Sequence, residues 1–165
     1  MLATLPRQLR LPLPDLRRPR PVPPPLPAGT IRRTNPRLQG DIGMGAALGW
    51  FLSQGYRVAL PLGESQPWDL IVEDAEGRVL RVQVKTATHR NSRGRFVVQL
   101  KTCGGNRSWT GTVRLFDPDA VEMLFILTDA GEQYLFPTSA VAARSQLSLG
   151  AATEPFRLDR PFAVV

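Results

Sequence analysis

The chain has one cysteine, Cys103, and one histidine, His89, in 165 residues. A lone cysteine cannot close an internal disulfide, which fits a reducing compartment and a cytoplasmic location. Two such residues also fall short of the four ligands of a structural zinc ion. No apolar run approaches the roughly 18 residues of a membrane-spanning helix, so no membrane association is expected. The N-terminal residues lack the apolar core of a secretory signal. Lysine is scarce: Lys85 and Lys101 stand among 21 basic residues, and the rest are arginines. Acid is missing locally. From Arg78 to Arg107 there are eight basic residues and no Asp or Glu. From Asp117 to Glu132 there are five acids and no Lys or Arg.

What is there begins with charge. The net charge is +7, and residues 1–37 account for it with eight arginines against Asp15. The rest of the chain is neutral. Ten of the 16 prolines fall in residues 1–36, including the run 21–27. Such a segment favours extended polyproline II over helix or sheet. It is expected to be a disordered basic arm, followed by one folded domain over 37–165. The acid-free stretch 78–107 is an electrostatic footprint for a polyanion if it lies on one face. The bland alternative is a solvated face. Arg81, Thr86, Arg90, Arg93, Arg95, Lys101 and Arg107 are the candidate contacts to DNA.

Residues 41–53 are apolar almost all round and end at Gly55, which predicts a buried helix with Asp41 at its N-terminal end. Strands are expected at Tyr56–Leu60, Trp68–Glu73, Arg78–Ala87 and Phe96–Leu100, with loops at 61–67, 88–94 and 102–111. Turn residues at 74–77 join the second and third strands into a hairpin. A second hairpin is expected over 122–137, then a short helix at 139–143. The order predicts an α/β domain with a mixed central β-sheet flanked by helices.

The chemistry gathers on the first hairpin. Asp69 lies on one strand and Gln83-x-Lys85 on the next. Residues 83 and 85 share a face, about 6.5 Å apart. If the register turns Asp69 toward them, a carboxylate, an amide oxygen and an ammonium converge. Hydrolysis of a phosphodiester needs such a set. A divalent ion must bind a phosphate oxygen and activate water, and Mg²⁺ (or Mn²⁺) takes a few hard oxygens and keeps several waters. A lysine can orient that water and offset developing charge. In a chain that otherwise favours arginine, Lys85 suggests that a compact ammonium is wanted. Asp69 is unusual among Leu, Ile and Val of a strand. Glu64, Thr88, His89 and Trp109 are weaker candidates, each readable as an ordinary loop or core residue.

Trp68-Asp69 followed by Gln83-Val84-Lys85 resembles the PD-(D/E)xK nuclease motif. The chain is similar to group I intron-associated endonucleases of that superfamily, which are close in fold to archaeal Holliday-junction resolvases. The likeness runs over residues 38–140 and takes in Gly40-Asp41-Ile42, Gly55-Tyr56, Leu60-Pro61-Leu62, Arg81 to Thr86, and Tyr134 to Pro137. The resemblance implies a restriction-endonuclease-like core and a metal-dependent endonuclease acting on double-stranded or branched DNA. It implies Asp69 as principal metal ligand and Gln83 as a second, where most of the superfamily has an acid. It implies Lys85 as the catalytic lysine and Asp41 as an assisting acid and metal ligand from the first helix. A homodimer or homotetramer is expected. The neutral Gln83 weakens the hold on a cation, so an inactive nuclease-fold DNA-binding module is the alternative. A third reading is an interaction protein docked through its proline-rich arm.

Overall fold

The computed structural model describes residues 35–63, 65–103 and 113–158. Nearly all of the expected arm, with Glu64, Arg107 and Trp109, lies outside them. The helix α1 spans Pro36–Ser53. Asn35 caps it, accepting the Arg37 N–H at 3.0 Å, and Pro36 takes the first helical position. Both fit a helix start: the side-chain oxygen satisfies a free amide and proline has none to lose. The start expected at Asp41 therefore lies inside the helix. Gly55, at φ +84°, closes the other end.

The expected all-round burial of α1 is also corrected. The helix buries Gly43, Ala46, Ala47 and Phe51, a single stripe, while Leu52 is 59% exposed. The stripe is made of small residues because the sheet is close. A Cβ on Gly43 would sit 2.6 Å from Thr86 Cγ2.

The strands follow as β1 (Arg57–Ala59), β2 (Leu70–Glu73), β3 (Val79–Ala87), β4 (His89–Arg90), β5 (Phe96–Gln99), β6 (Thr102–Cys103), β7 (Val113–Arg114), β8 (Met123–Thr128), β9 (Gln133–Pro137) and β10 (Gln146–Ser148). The central sheet has the order β1-β2-β3-β8-β9. Only the β3–β8 pairing is parallel, so the sheet is mixed. Asp74 builds the first hairpin turn by accepting the N–H groups of Glu76 and Arg78. Gly77 supplies the positive φ that the turn requires.

Alternation along β3 sorts its side chains between two cores. Val82 joins Ala46, Ala47, Phe51, Leu70, Val72, Phe125 and Leu127 under α1. Ala87 joins Phe96, Val98, Leu100, Leu124, Ile126 and Phe136 on the opposite face. By parity Arg81, Gln83 and Lys85 share the Ala87 side. That face is covered by a small sheet, β10-β5-β4, rather than by an α-helix. The basic loop expected at 88–94 thus supplies a strand, β4, pairing with β5. Where a helix was expected at 139–143 there is one 3₁₀ turn, Thr138–Ala140. Val141 turns extended and inserts into the second core, which ends the turn. A further 3₁₀ segment, Ala151–Phe156, packs Phe156 on Phe136.

Candidate active site

The β2–β3 ladder runs from Glu73↔Val79 to Leu70↔Val82. Asp69 stands one residue beyond. Its backbone N–H donates to the Val82 carbonyl at 2.8 Å. Its carboxylate then takes over from the main chain: Oδ2 accepts the Val84 N–H at 2.7 Å. That bond fixes the Asp69 side chain against β3 between Gln83 and Lys85. The Gln83 amide donates to the Pro67 carbonyl at 3.4 Å, a long contact that directs its nitrogen outward. In the parallel ladder, Gln83 lies beside Leu124 and Lys85 beside Ile126, both fully buried. The polar groups therefore stand on an apolar floor.

Dehydration is the electrostatic result. Burial pushes the Asp69 carboxyl above the ordinary 3.8, against the pull of the Val84 N–H and the Lys85 charge. Burial likewise pushes the Lys85 ammonium below the ordinary 10.5, against the attraction of Asp69. Each is the other's charged neighbour, and neither fully replaces lost water. Opposed, partly desolvated titratable groups of this kind are a frequent mark of a reactive site.

The other expected residues are placed differently. Asp41 is exposed. Gln39 and Gly43 form the sheet-side edge of α1, both meeting Thr86. Asp41 is two residues from each, hence about 200° round the helix, and turns away from the site. Among the described residues, the hydrogen bond that holds the Asp69 carboxylate comes from the Val84 N–H and not from α1. Gln39 was missed by sequence reasoning; its amide donates to the Thr86 hydroxyl at 2.7 Å, on the α1 side of β3. Only a helix extended back to Pro36 would have pointed to it. Arg81 is held by Glu122, which takes its side chain and its backbone N–H. Arg90 lies over the Phe96 ring at 3.7 Å and donates to the Gly94 carbonyl. Arg93 and Arg95 are exposed in the β4–β5 hairpin, where Asn91 accepts both of their N–H groups. Lys101 is half-buried after β5.

Among the described residues, no three of His, Cys, Asp and Glu gather in a metal-holding group. The donors at hand are the Asp69 carboxylate and neutral oxygens such as that of Gln83. One carboxylate with neutral oxygens and water suits a hard, hydrated cation such as Mg²⁺ rather than zinc. Among the described residues, no helix is long and apolar enough to cross a membrane.

A mixed sheet with an acid at the end of one strand and Gln-x-Lys on its hairpin partner defines a PD-(D/E)xK-type nuclease fold. Residues 34–157 match the PD-(D/E)XK endonuclease family, and the chain belongs to it. Among solved structures it is similar to that of a bacterial homing endonuclease, I-Ssp6803I, at 26% identity and a TM-score of 0.59. The match covers 76% of this chain and 83% of that one. No curated protein matches the chain.

Proposed function

We propose that the protein is a divalent-metal-dependent endonuclease that hydrolyses DNA phosphodiester bonds in the cytoplasm. The observation that carries the reading is Asp69, fixed by the Val84 amide of the hairpin partner strand that carries Gln83 and Lys85, with Lys85 as its partly dehydrated charged neighbour. Asp69 would hold Mg²⁺ or Mn²⁺, with the Gln83 side-chain oxygen and the Val84 carbonyl completing the protein's share. When bound, the ion supplies a polarised phosphate oxygen and an acidified water. The Val84 N–H fixes one Asp69 oxygen and leaves the other to face the substrate. Lys85 donates to the attacking water or to a phosphate oxygen as negative charge grows there. The apolar floor at Leu124 and Ile126 excludes water and so strengthens both contacts. Arg93, Arg95, Lys101 and Arg107 would meet backbone phosphates, while Arg81, Thr86 and Arg90 mainly hold the fold. Cutting both strands calls for a symmetric assembly, a homodimer or homotetramer.

Purified protein should nick or linearise supercoiled plasmid, or cut a synthetic four-way junction, with Mg²⁺ or Mn²⁺ but not with EDTA. Lys85→Ala should lower the rate by at least about a hundredfold, the scale of one lost transition-state donor. Gln83 supports a second reading. With one carboxylate and a neutral amide the cation is held weakly, and the fold would then serve as a DNA-binding module. DNA binding that survives EDTA, with no cleavage in any metal, would replace the first reading by the second.

A further inference from the structure

Beside Gln83, on the face of β3 that carries Lys85, opens a cleft of about 810 Å³. Such a volume is in the range of small-ligand sites, about 300 to 1,000 Å³. Leu100, Leu115 and Phe116 give it apolar walls. Gln66, Arg114 and Asp117 stand at its polar edge. The walls come from three parts of the chain: the loop before Asp69, the end of β5, and the segment after β7. Leu115 is 59% exposed although its neighbour Phe116 is buried. Neither Gln66 nor Arg114 makes a hydrogen bond or ion pair among the described residues.

We propose that this cleft receives one unpaired nucleotide of the DNA, next to the phosphate held at Asp69 and Lys85. The inference rests on the nuclease reading and adds to it a preference for a base out of the stack. A nucleobase is a flat apolar face with a polar rim, and a pocket for one combines apolar walls with edge-reading groups. Leu100, Leu115 and Phe116 supply the walls. Gln66 and Asp117 can read donor and acceptor edges; an aspartate accepts from an exocyclic amine. Arg114 supplies a positive charge for the adjoining phosphate. Gln83 belongs to both the cleft and the candidate active site, so a nucleotide seated here brings its own phosphate to Lys85.

The test separates the two claims. Plasmid cleavage by the wild type tests the nuclease reading alone. In a second arm, with Ca²⁺ in place of Mg²⁺, the full chain is titrated onto a duplex with a single bulged 2-aminopurine. The same duplex, fully paired, is titrated alongside. Anisotropy gives affinity and 2-aminopurine emission reports the environment of the bulged base. The wild type should prefer the bulged duplex by about tenfold, with a change in emission. Gln66→Ala and Leu115→Ser, both uncharged changes at exposed positions, should bring the ratio near one and leave binding to paired DNA unchanged. Equal wild-type affinities, or a ratio untouched by both variants, overturns the cleft assignment even where plasmid is cut. The expected ratios without cleavage would leave the cleft standing and remove the nuclease reading.

Discussion

Asp69 shows how a residue can work against the fold that holds it. Asparagine at this position keeps an oxygen for the Val84 N–H and removes the dehydrated charge. The sign of the pH effect follows from the direction of the shift. The folded-state carboxyl lies above its ordinary 3.8, so the folded protein holds that proton more tightly than the unfolded chain. Wild-type stability is therefore lost as pH rises from the unfolded value through the folded one. Asp69→Asn has no such loss, and in EDTA its stability relative to wild type should grow as pH climbs through the same interval, while cleavage disappears. Thermal melts from pH 3 to 7 check this, and parallel curves for the two proteins would sink it. Stability traded for a strained polar site is common where chemistry is done. Asp69 and Lys85 were conspicuous in the sequence because each is the wrong residue for its surroundings: an acid in an apolar strand, and a lysine where arginine is the habit. Glu122 was not conspicuous, although it engages Arg81 across 41 positions. Nothing local marks a contact made by the parallel β3–β8 crossover.

At the scale of elements, what could be read depended on whether the governing signal was periodic. The β2–β3 hairpin was legible because Val82 and Val84 alternate with Gln83 and Lys85 around a turn of Asp and Gly. The start of α1 was hidden because Pro36 ends a proline-rich run and reads as part of it, although proline at a first helical position is favourable. Moving the start from Asp41 to Pro36 turned Asp41 outward and Gln39 inward. Of the small β10–β5–β4 sheet, β5 was legible at Phe96–Leu100, but β4 and β10 have two and three residues, too few to show a period. The contact that seats α1 can be tested directly. Gly43→Ala gains about 1 kcal/mol of helix propensity. It also drives a methyl into Thr86 Cγ2 at 2.6 Å. Overpacking of this kind costs about 1–3 kcal/mol, so a net loss of stability is expected. Thr86→Ser removes the clashing methyl and keeps the hydroxyl that Gln39 donates to. In that background Gly43→Ala should be clearly milder, or stabilising. A double-mutant cycle by urea denaturation gives the coupling; equal costs in both backgrounds would show that the helix does not rest on this contact.

At the scale of the whole molecule, charge and chemistry are kept on different parts of the chain. The candidate site lies in a region whose basic and acidic residues balance, while the net charge of +7 sits in residues 1–37. A site with one carboxylate and a neutral amide repels phosphate less than a two-acid site, but the chain after residue 37, neutral overall, adds little net attraction at long range. The arginines before α1 can provide that attraction without entering the site. Residues 1–34 carry seven of them, and a truncated chain beginning at Asn35 keeps the cap of α1. Each phosphate neutralised adds about 0.9 to the slope of log affinity against log salt on duplex DNA. Truncation should therefore make that slope shallower by as much as about 6 and weaken binding most at low salt. The cleavage rate at saturating DNA should hold, since Asp69, Gln83 and Lys85 are untouched. Fluorescence anisotropy on a fixed duplex across 50–300 mM salt, beside single-turnover cleavage, measures both quantities. A slope unchanged by truncation would assign the phosphate contacts to the folded domain, chiefly Arg93, Arg95 and Lys101. A cleavage rate at saturation that falls with the arm would mean that the arm acts on the chemistry, and that this separation of attraction from catalysis is wrong.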